Sequence, residues 1–294
     1  MALLGCFLGV FAATFPSLES IDKDATLQTF THLVLPDLLS VEQLGWIRCA
    51  CALFIFSVSL KATFFYPGMS QVTAYLPKSK LKRNVLIRMT GFRTQLPFTS
   101  WSWNLLGLSF ALNGVIALNS QNDVSPWLLR MALLVFETAA PSALLVAFVI
   151  RYAIWPRALQ HGDTTQLKLP IVLIWHNANV IMILSEVCLL GGIHIDAHAS
   201  YFSVAPIFGI VYVLFTWYMI PRWSKEGPQF IYFFFDTTLG WTTSIALLML
   251  LVVLMVFHGL FGALVHVLSN LQGGLFIHTL AVLVVSSLIC RFQD

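Results

Sequence analysis

The chain has 294 residues, of which 58% are hydrophobic and only 10% charged, and its mean hydropathy is +0.83. No soluble core hides that much apolar surface in a chain of this length, so a water-soluble globular domain is excluded. The formal net charge of +3 is too small to imply an acidic macromolecular partner, and no basic fold module points to nucleic acid.

In chain order, Met1 to Phe15 form an apolar stretch without a basic leader. We read it as a short buried or interfacial segment, with an extra span as the alternative. Apolar runs long enough to cross a hydrocarbon core of roughly 30 Å follow at 44–62, 99–119, 128–150, 168–192, 201–221, 238–262 and 272–290. The expected fold is therefore all-α, a polytopic transmembrane helical bundle of about seven spans. An N-terminal segment, 1–43, precedes a single helical domain, 44–294, with a long basic connector at 63–98. Trp46, Trp101, Trp127, Trp223 and Trp241 sit at the edges of the runs, where a membrane interface favours them. Cys6, Cys49, Cys51, Cys188 and Cys290 are an odd set in mainly apolar sequence and do not read as a disulfide framework.

Basic residues orient the bundle. Lys61, Lys78, Lys80, Lys82, Arg83, Arg88 and Arg93 lie in or beside the first connector. Arg151, Arg157 and Lys168 flank the third, Arg222 and Lys225 lie in the fifth, and Arg291 follows the last run. Only Lys23, Arg48 and Arg130 lie elsewhere. The positive-inside rule then puts the N-terminus on the non-basic side and the C-terminus on the cytoplasmic or matrix-like side. The segment Lys78 to Arg83 reads as this topology signal, with weak contact to anionic lipid.

Function in such a chain resides in polar groups at membrane depth, where an unpaired ionisable group is expensive. In the fourth run His176, Asn179, Ile183 and Glu186 recur at steps of three, four and three, one helical face that must meet protein or a water-filled cavity. Glu137 is the other deep carboxylate, and Pro141 in the same run frees a backbone carbonyl for a partner. The second run carries Thr99, Trp103, Asn104, Phe110 and Asn113. Asp236, followed by two Thr, suits an N-terminal cap for the next helix. His258, His266 and His278 lack the short spacing of metal or haem ligands, and His194 with His198 reads as a solvated turn, so no metal or cofactor is expected.

These clusters, in this order, resemble the androgen-induced membrane hydrolase family, which cleaves fatty acid esters of hydroxy fatty acids. The matching pieces are Phe98-Thr99, His176-Asn-Ala-Asn179 with Glu186 beyond it, the segment from Gly209 to Trp217, Gly227, and the aromatic run ending at Asp236. Together they cover about 95–260. The resemblance implies a membrane-embedded Thr nucleophile, which falls on Thr99, and a His base from a His-x-x-His motif. Here His176 fills the first position of that motif and Asn179 the second, and an amide takes no proton from a hydroxyl. The expectation is thus a non-catalytic membrane protein on this fold, binding membrane lipids or packed as an accessory subunit with other membrane proteins. The alternative is an ester hydrolase with Thr99 as nucleophile, His176 as base, and Asn179 or Asn104 at the oxyanion. A transporter or channel lined by Glu137 and Glu186 is a third reading.

Overall fold

A computed structural model of the chain describes residues 2–65, 69–72, 79–80, 86–160, 162–191, 193, 199–223 and 230–294. Most of the Lys78–Arg83 segment, His194, Asp196 and His198, and the stretch of Lys225, Gly227 and Pro228 lie outside the described residues.

Three short N-terminal helices, α1 (Ala2–Ala13), α2 (Leu18–Asp24) and α3 (Leu27–Thr31), lead into α4 (Val41–Phe64). Short polar side chains start them: Ser17 caps α2, Thr26 caps α3, and Ser40 with Gln43 forms a full capping box on α4. The connector 63–98 holds an antiparallel ribbon of β1 (Met69–Val72) and β2 (Leu86–Met89), with Met69 opposite Met89. Then come α5 (Phe98–Leu118), α6 (Pro126–Gln160), α7 (Pro170–Leu190), α8 (Val204–Trp223), α9 (Trp241–Ser269) and α10 (Leu275–Ile289). Proline stands at the first position of α6 and α7 and just before α5, where its missing N–H costs nothing.

Among the described residues, six helices are long and apolar enough to cross a membrane: α4, α5, α6, α7, residues Tyr201–Met219 at α8, and α9. They fall on the first six apolar runs. The seventh run is α10, whose 15 residues reach about 22 Å at 1.5 Å per residue. The bent pair Leu4–Ala13 and Leu18–Asp24, turned by 62°, makes seven candidate spans if counted as one. The fold is the expected all-α bundle, and its helix composition is that of a multi-pass membrane protein.

The connectors gather at two ends. Arg93 donates to the Arg222 carbonyl, Ser79 to Asp236, and Lys168 to Asp294, so the segments carrying most of the positive charge share one end. Arg130 pairs with Asp22 at the opposite end. α1 runs back along α8: Leu4 packs beside Trp217, Thr243 and Leu247, while the Thr14 carbonyl accepts from Ser203. Leu4 therefore lies at the basic end, whereas α4 starts at the other. Leu4 and Phe11 are buried and Leu8 and Val10 exposed, so α1 is a half-buried flank of the bundle.

α4 and α5 meet through a ladder of glycines. A Cβ on Gly45 would come within 2.9 Å of Leu118, one on Gly107 within 2.7 Å of Ile55, and one on Gly114 within 2.7 Å of Cys49 Sγ. At Gly114 the backbones of Cys49 and Gly45 are also only 3.1 Å away, so nothing soft can yield. Gly114→Ala is expected to destabilise the chain by about 1–3 kcal/mol through overpacking. Gly259→Ala, with nothing within 4 Å of the new carbon, should be neutral or stabilising, since Ala is the better helix former. Thermal unfolding of the two variants in detergent checks the contrast.

Candidate functional site

A fully buried ion pair joins two helices that the sequence pattern does not link. Arg48, two turns into α4, donates from Nε (2.9 Å) and Nη2 (2.5 Å) to Glu186 Oε1 near the end of α7. Its Nη1 donates to the Phe30 carbonyl at 2.5 Å. Both side chains are sealed, at 0% and 1% exposure. Glu186 does face protein, as its helical stripe requires, and its Oε2 has no partner among the described residues. Arg48 was not recognised as a site residue. Its one sequence signal is that it is an isolated cation in an apolar run, away from the basic connectors.

Glu137 and His258 form a second pair between α6 and α9. Carboxylate Oε2 and imidazole Nε2 are 3.6 Å apart, with side chains 5% and 8% exposed. Pro141 lacks an N–H, so the Glu137 main-chain carbonyl four residues back has no helical donor. His258 faces that carbonyl. The pair lines a narrow crevice of about 10 Å³ with Phe136, Ile193, Phe261, Gly262 and Val265, far smaller than the roughly 300–1,000 Å³ of ordinary small-molecule pockets.

The His176-Asn-Ala-Asn179 segment lies in a π-helical turn, Ile174–Ala178, that interrupts α7. His176, Asn177 and Asn179 are buried. Asn179 Oδ1 accepts the Val180 N–H at 2.7 Å, and its Nδ2 reaches the Ala143 carbonyl at 3.4 Å. His176 turns toward the Val172 backbone, and its Nδ1 has no partner. Thr99 is half-buried in the first turn of α5, and no hydrogen bond joins it to His176 or Asn179 among the described residues. Asn104, one turn on, is committed to structure: it accepts from Ser59 Oγ at 2.7 Å and donates to Gln95 Oε1 at 2.8 Å and to the Ser100 carbonyl at 2.9 Å. Asn113 is buried with its Oδ1 unpartnered.

Asp236 is fully buried and acts as a cap, although not on α9 itself. Its carboxylate accepts from Thr238 N (2.8 Å), Thr238 Oγ1 (2.6 Å) and Ser79 Oγ, closing the turn Thr237–Leu239. Gly240, at φ +57°, then redirects the chain into α9. A shallow hollow of about 120 Å³ beside it is lined by Leu4, Trp217, Thr237, Gly240, Thr243, Ser244 and Leu247.

Among the described residues no group of three His, Cys, Asp or Glu is arranged to hold a metal ion. His278 donates from Nδ1 to the Cys188 carbonyl at 2.7 Å, and His266 is exposed.

Asn177 has a role that the sequence did not reveal. Its amide clasps the backbone of Arg291 from both sides, donating to the carbonyl and accepting from the N–H, each at 2.9 Å. Arg151 donates to the Cys290 carbonyl and Tyr152 to that of Leu288 at 2.6 Å. The Asp294 carboxylate accepts from Lys168, Trp155 Nε1 and Thr164. The residues after α10 are thus laced across the basic ends of α6 and α7.

Removing one member of the buried pair strands the other charge. Arg48→Met is expected to cost about 3–5 kcal/mol, and the double change Arg48→Met with Glu186→Met distinctly less. Equilibrium unfolding in mixed micelles reads both. The tail carries a weaker, pH-dependent contact. Lys168, donating to Asp294, holds that carboxyl below its ordinary value of 3.8. The folded-state value is the lower one, so the contact is complete above about 3.8 and is lost as pH falls through the depressed value. Trp155 fluorescence should therefore hold steady from neutral pH down to that point and then change, and Asp294→Asn should abolish the acid step. Set against known proteins, the chain finds no counterpart: no family model, no curated protein and no solved structure matches it.

Proposed function

We propose that this chain is a non-catalytic, multi-pass membrane protein that acts by packing, as an accessory subunit among lipids and other membrane proteins. One observation carries the reading: several of its polar groups at membrane depth are paired with groups on other helices. Arg48 is bound to Glu186, His258 faces Glu137, His278 donates to the Cys188 carbonyl, and Asn104 joins Ser59 to Gln95. An enzyme leaves such groups aimed at a substrate site, and a channel lines a continuous path with them.

The outer faces suit the same role. Only 33% of the spanning windows of α4 and α9 is buried within the chain. α10 exposes Leu275, Phe276, Leu280, Leu283, Val284 and Leu288, although it is about 8 Å too short to span a core of roughly 30 Å alone. A short apolar helix at the rim is economical where a neighbouring protein covers it. In sequence, thirteen of the sixteen basic residues lie in or beside the odd-numbered connectors or after the last run, and we read the side those connectors share as cytoplasmic or matrix-facing.

Purification from native membranes in mild detergent is expected to bring down stoichiometric membrane-protein partners, and a monodisperse monomer overturns the subunit reading. In a fatty acid ester hydrolysis assay the native chain, Thr99→Ala and His176→Ala should be equally inactive. A native rate that either change abolishes establishes the hydrolase instead.

A further inference from the structure

We infer that Glu137 and His258 form a proton-binding site midway through the bundle. Its depth follows from the helices. Glu137 lies eleven residues from the start of α6 and His258 eleven from the end of α9, so each is about 16 Å in from the same end. That is half of a roughly 30 Å core.

The site is built of acceptors around an imidazole. His258 has the Glu137 carboxylate on one side at 3.6 Å and faces the carbonyl that Pro141 leaves without a donor. Its Nδ1 has no partner among the described residues, and the crevice beside the pair, about 10 Å³, holds space for about one water. A proton on Nε2 makes an ion pair; the same proton on the carboxyl makes a neutral pair. Either way the site holds one proton and no net charge, as an apolar setting demands. The gap exceeds a hydrogen bond by only about 0.5 Å, so a small rotation closes it and moves the proton between Oε2 and Nε2.

Among the described residues α5 has no titratable side chain. On α7 Glu186 is bound to Arg48, Cys188 lies beside His278, and His176 is buried with its Nδ1 unpartnered; on α8 the Tyr212 hydroxyl donates to the Leu96 carbonyl, and on α10 His278 donates to a backbone carbonyl. From α2 Asp24 acts on the Glu137 carboxylate through space, and so does Glu137 on Tyr201 at the entry to α8. The Tyr201 hydroxyl donates to Asp24 Oδ2 at 2.9 Å. Asp24 is half-exposed, and Tyr201 and Glu137 are both buried.

Infrared difference spectroscopy on the purified full chain, titrated from acid to alkaline pH, tests the site. A buried carboxylic C=O band should titrate in the native chain and be lost in Glu137→Gln. Its midpoint should move by more than about one pH unit in His258→Gln, the mark of two coupled groups. Glu137→Asp, which keeps the carboxyl, should shift the band's frequency without removing it, so a Gln variant that fails to fold does not decide the matter. The inference is overturned if Glu137→Asp leaves the titrating band unmoved, or if His258→Gln leaves its midpoint in place. It is overturned equally if sodium at constant pH produces the same spectral change as deprotonation, which makes the site a metal-cation site.

Discussion

A guanidinium and a carboxylate with no water around them, Arg48 and Glu186, set the terms for the end of the bundle where α4 begins. Desolvating both ions is costly, and only close geometry offsets it. The geometry is obtained by drawing three parts of the chain together: α4 supplies the arginine, α7 the glutamate, and the residue ending the Phe30 peptide its carbonyl. The segment after α3 is thereby fixed to the end of α7. His32 Nδ1 lies 3.1 Å from the Gly191 carbonyl, and the Val34 N–H donates to Leu190. Gly191 has to be glycine here, because a Cβ would stand 2.5 Å from the His32 carbonyl and 3.0 Å from Arg48. The backbone after α3, packed against the end of α7, thus dictates a residue type far along the chain.

The same demand for partners explains the irregular helices. A proline inside α6 would ordinarily leave an orphan acceptor, and the bundle answers with His258 on α9. The π-helical turn of α7 puts Asn177, Asn179 and His176 on different bearings from those of a regular helix. Asn177 can then grip the Arg291 backbone while Asn179 turns to α6. The segment that resembles a hydrolase motif is, in this fold, a structural joint between α7, α6 and the chain after α10.

What could be read from the sequence was what composition and periodicity control. The apolar runs marked the spanning helices, and the three-four-three spacing placed His176, Asn179, Ile183 and Glu186 on a buried face. Pro141 announced a freed carbonyl, and Asp236 a cap. Illegible were the partners, since a pairing between residues 48 and 186 or 137 and 258 depends on how helices are arranged, which local pattern does not encode. The ribbon of β1 and β2 also escaped notice, because four-residue strands in a basic connector carry no apolar alternation to mark them. The π turns were invisible for a related reason: they move the periodicity by a single residue. For Asp236 the expected cap was present but served the turn before α9, a boundary shift of a few residues that Gly240 absorbs.

The placement of α1 bears on how the chain comes to be folded. Leu4 and Phe11 bury against a surface made of Ile210, Tyr212, Val213, Leu247 and Leu251, some two hundred residues later in the chain. Until that stretch is synthesised this helix lacks the surface it packs on. Its contacts are among the longest in sequence separation that the chain makes, and contacts of that kind form late. A nascent chain must therefore keep an apolar N-terminal helix out of trouble, at the membrane surface or in the grip of an insertase or chaperone, until α8 and α9 arrive to receive it.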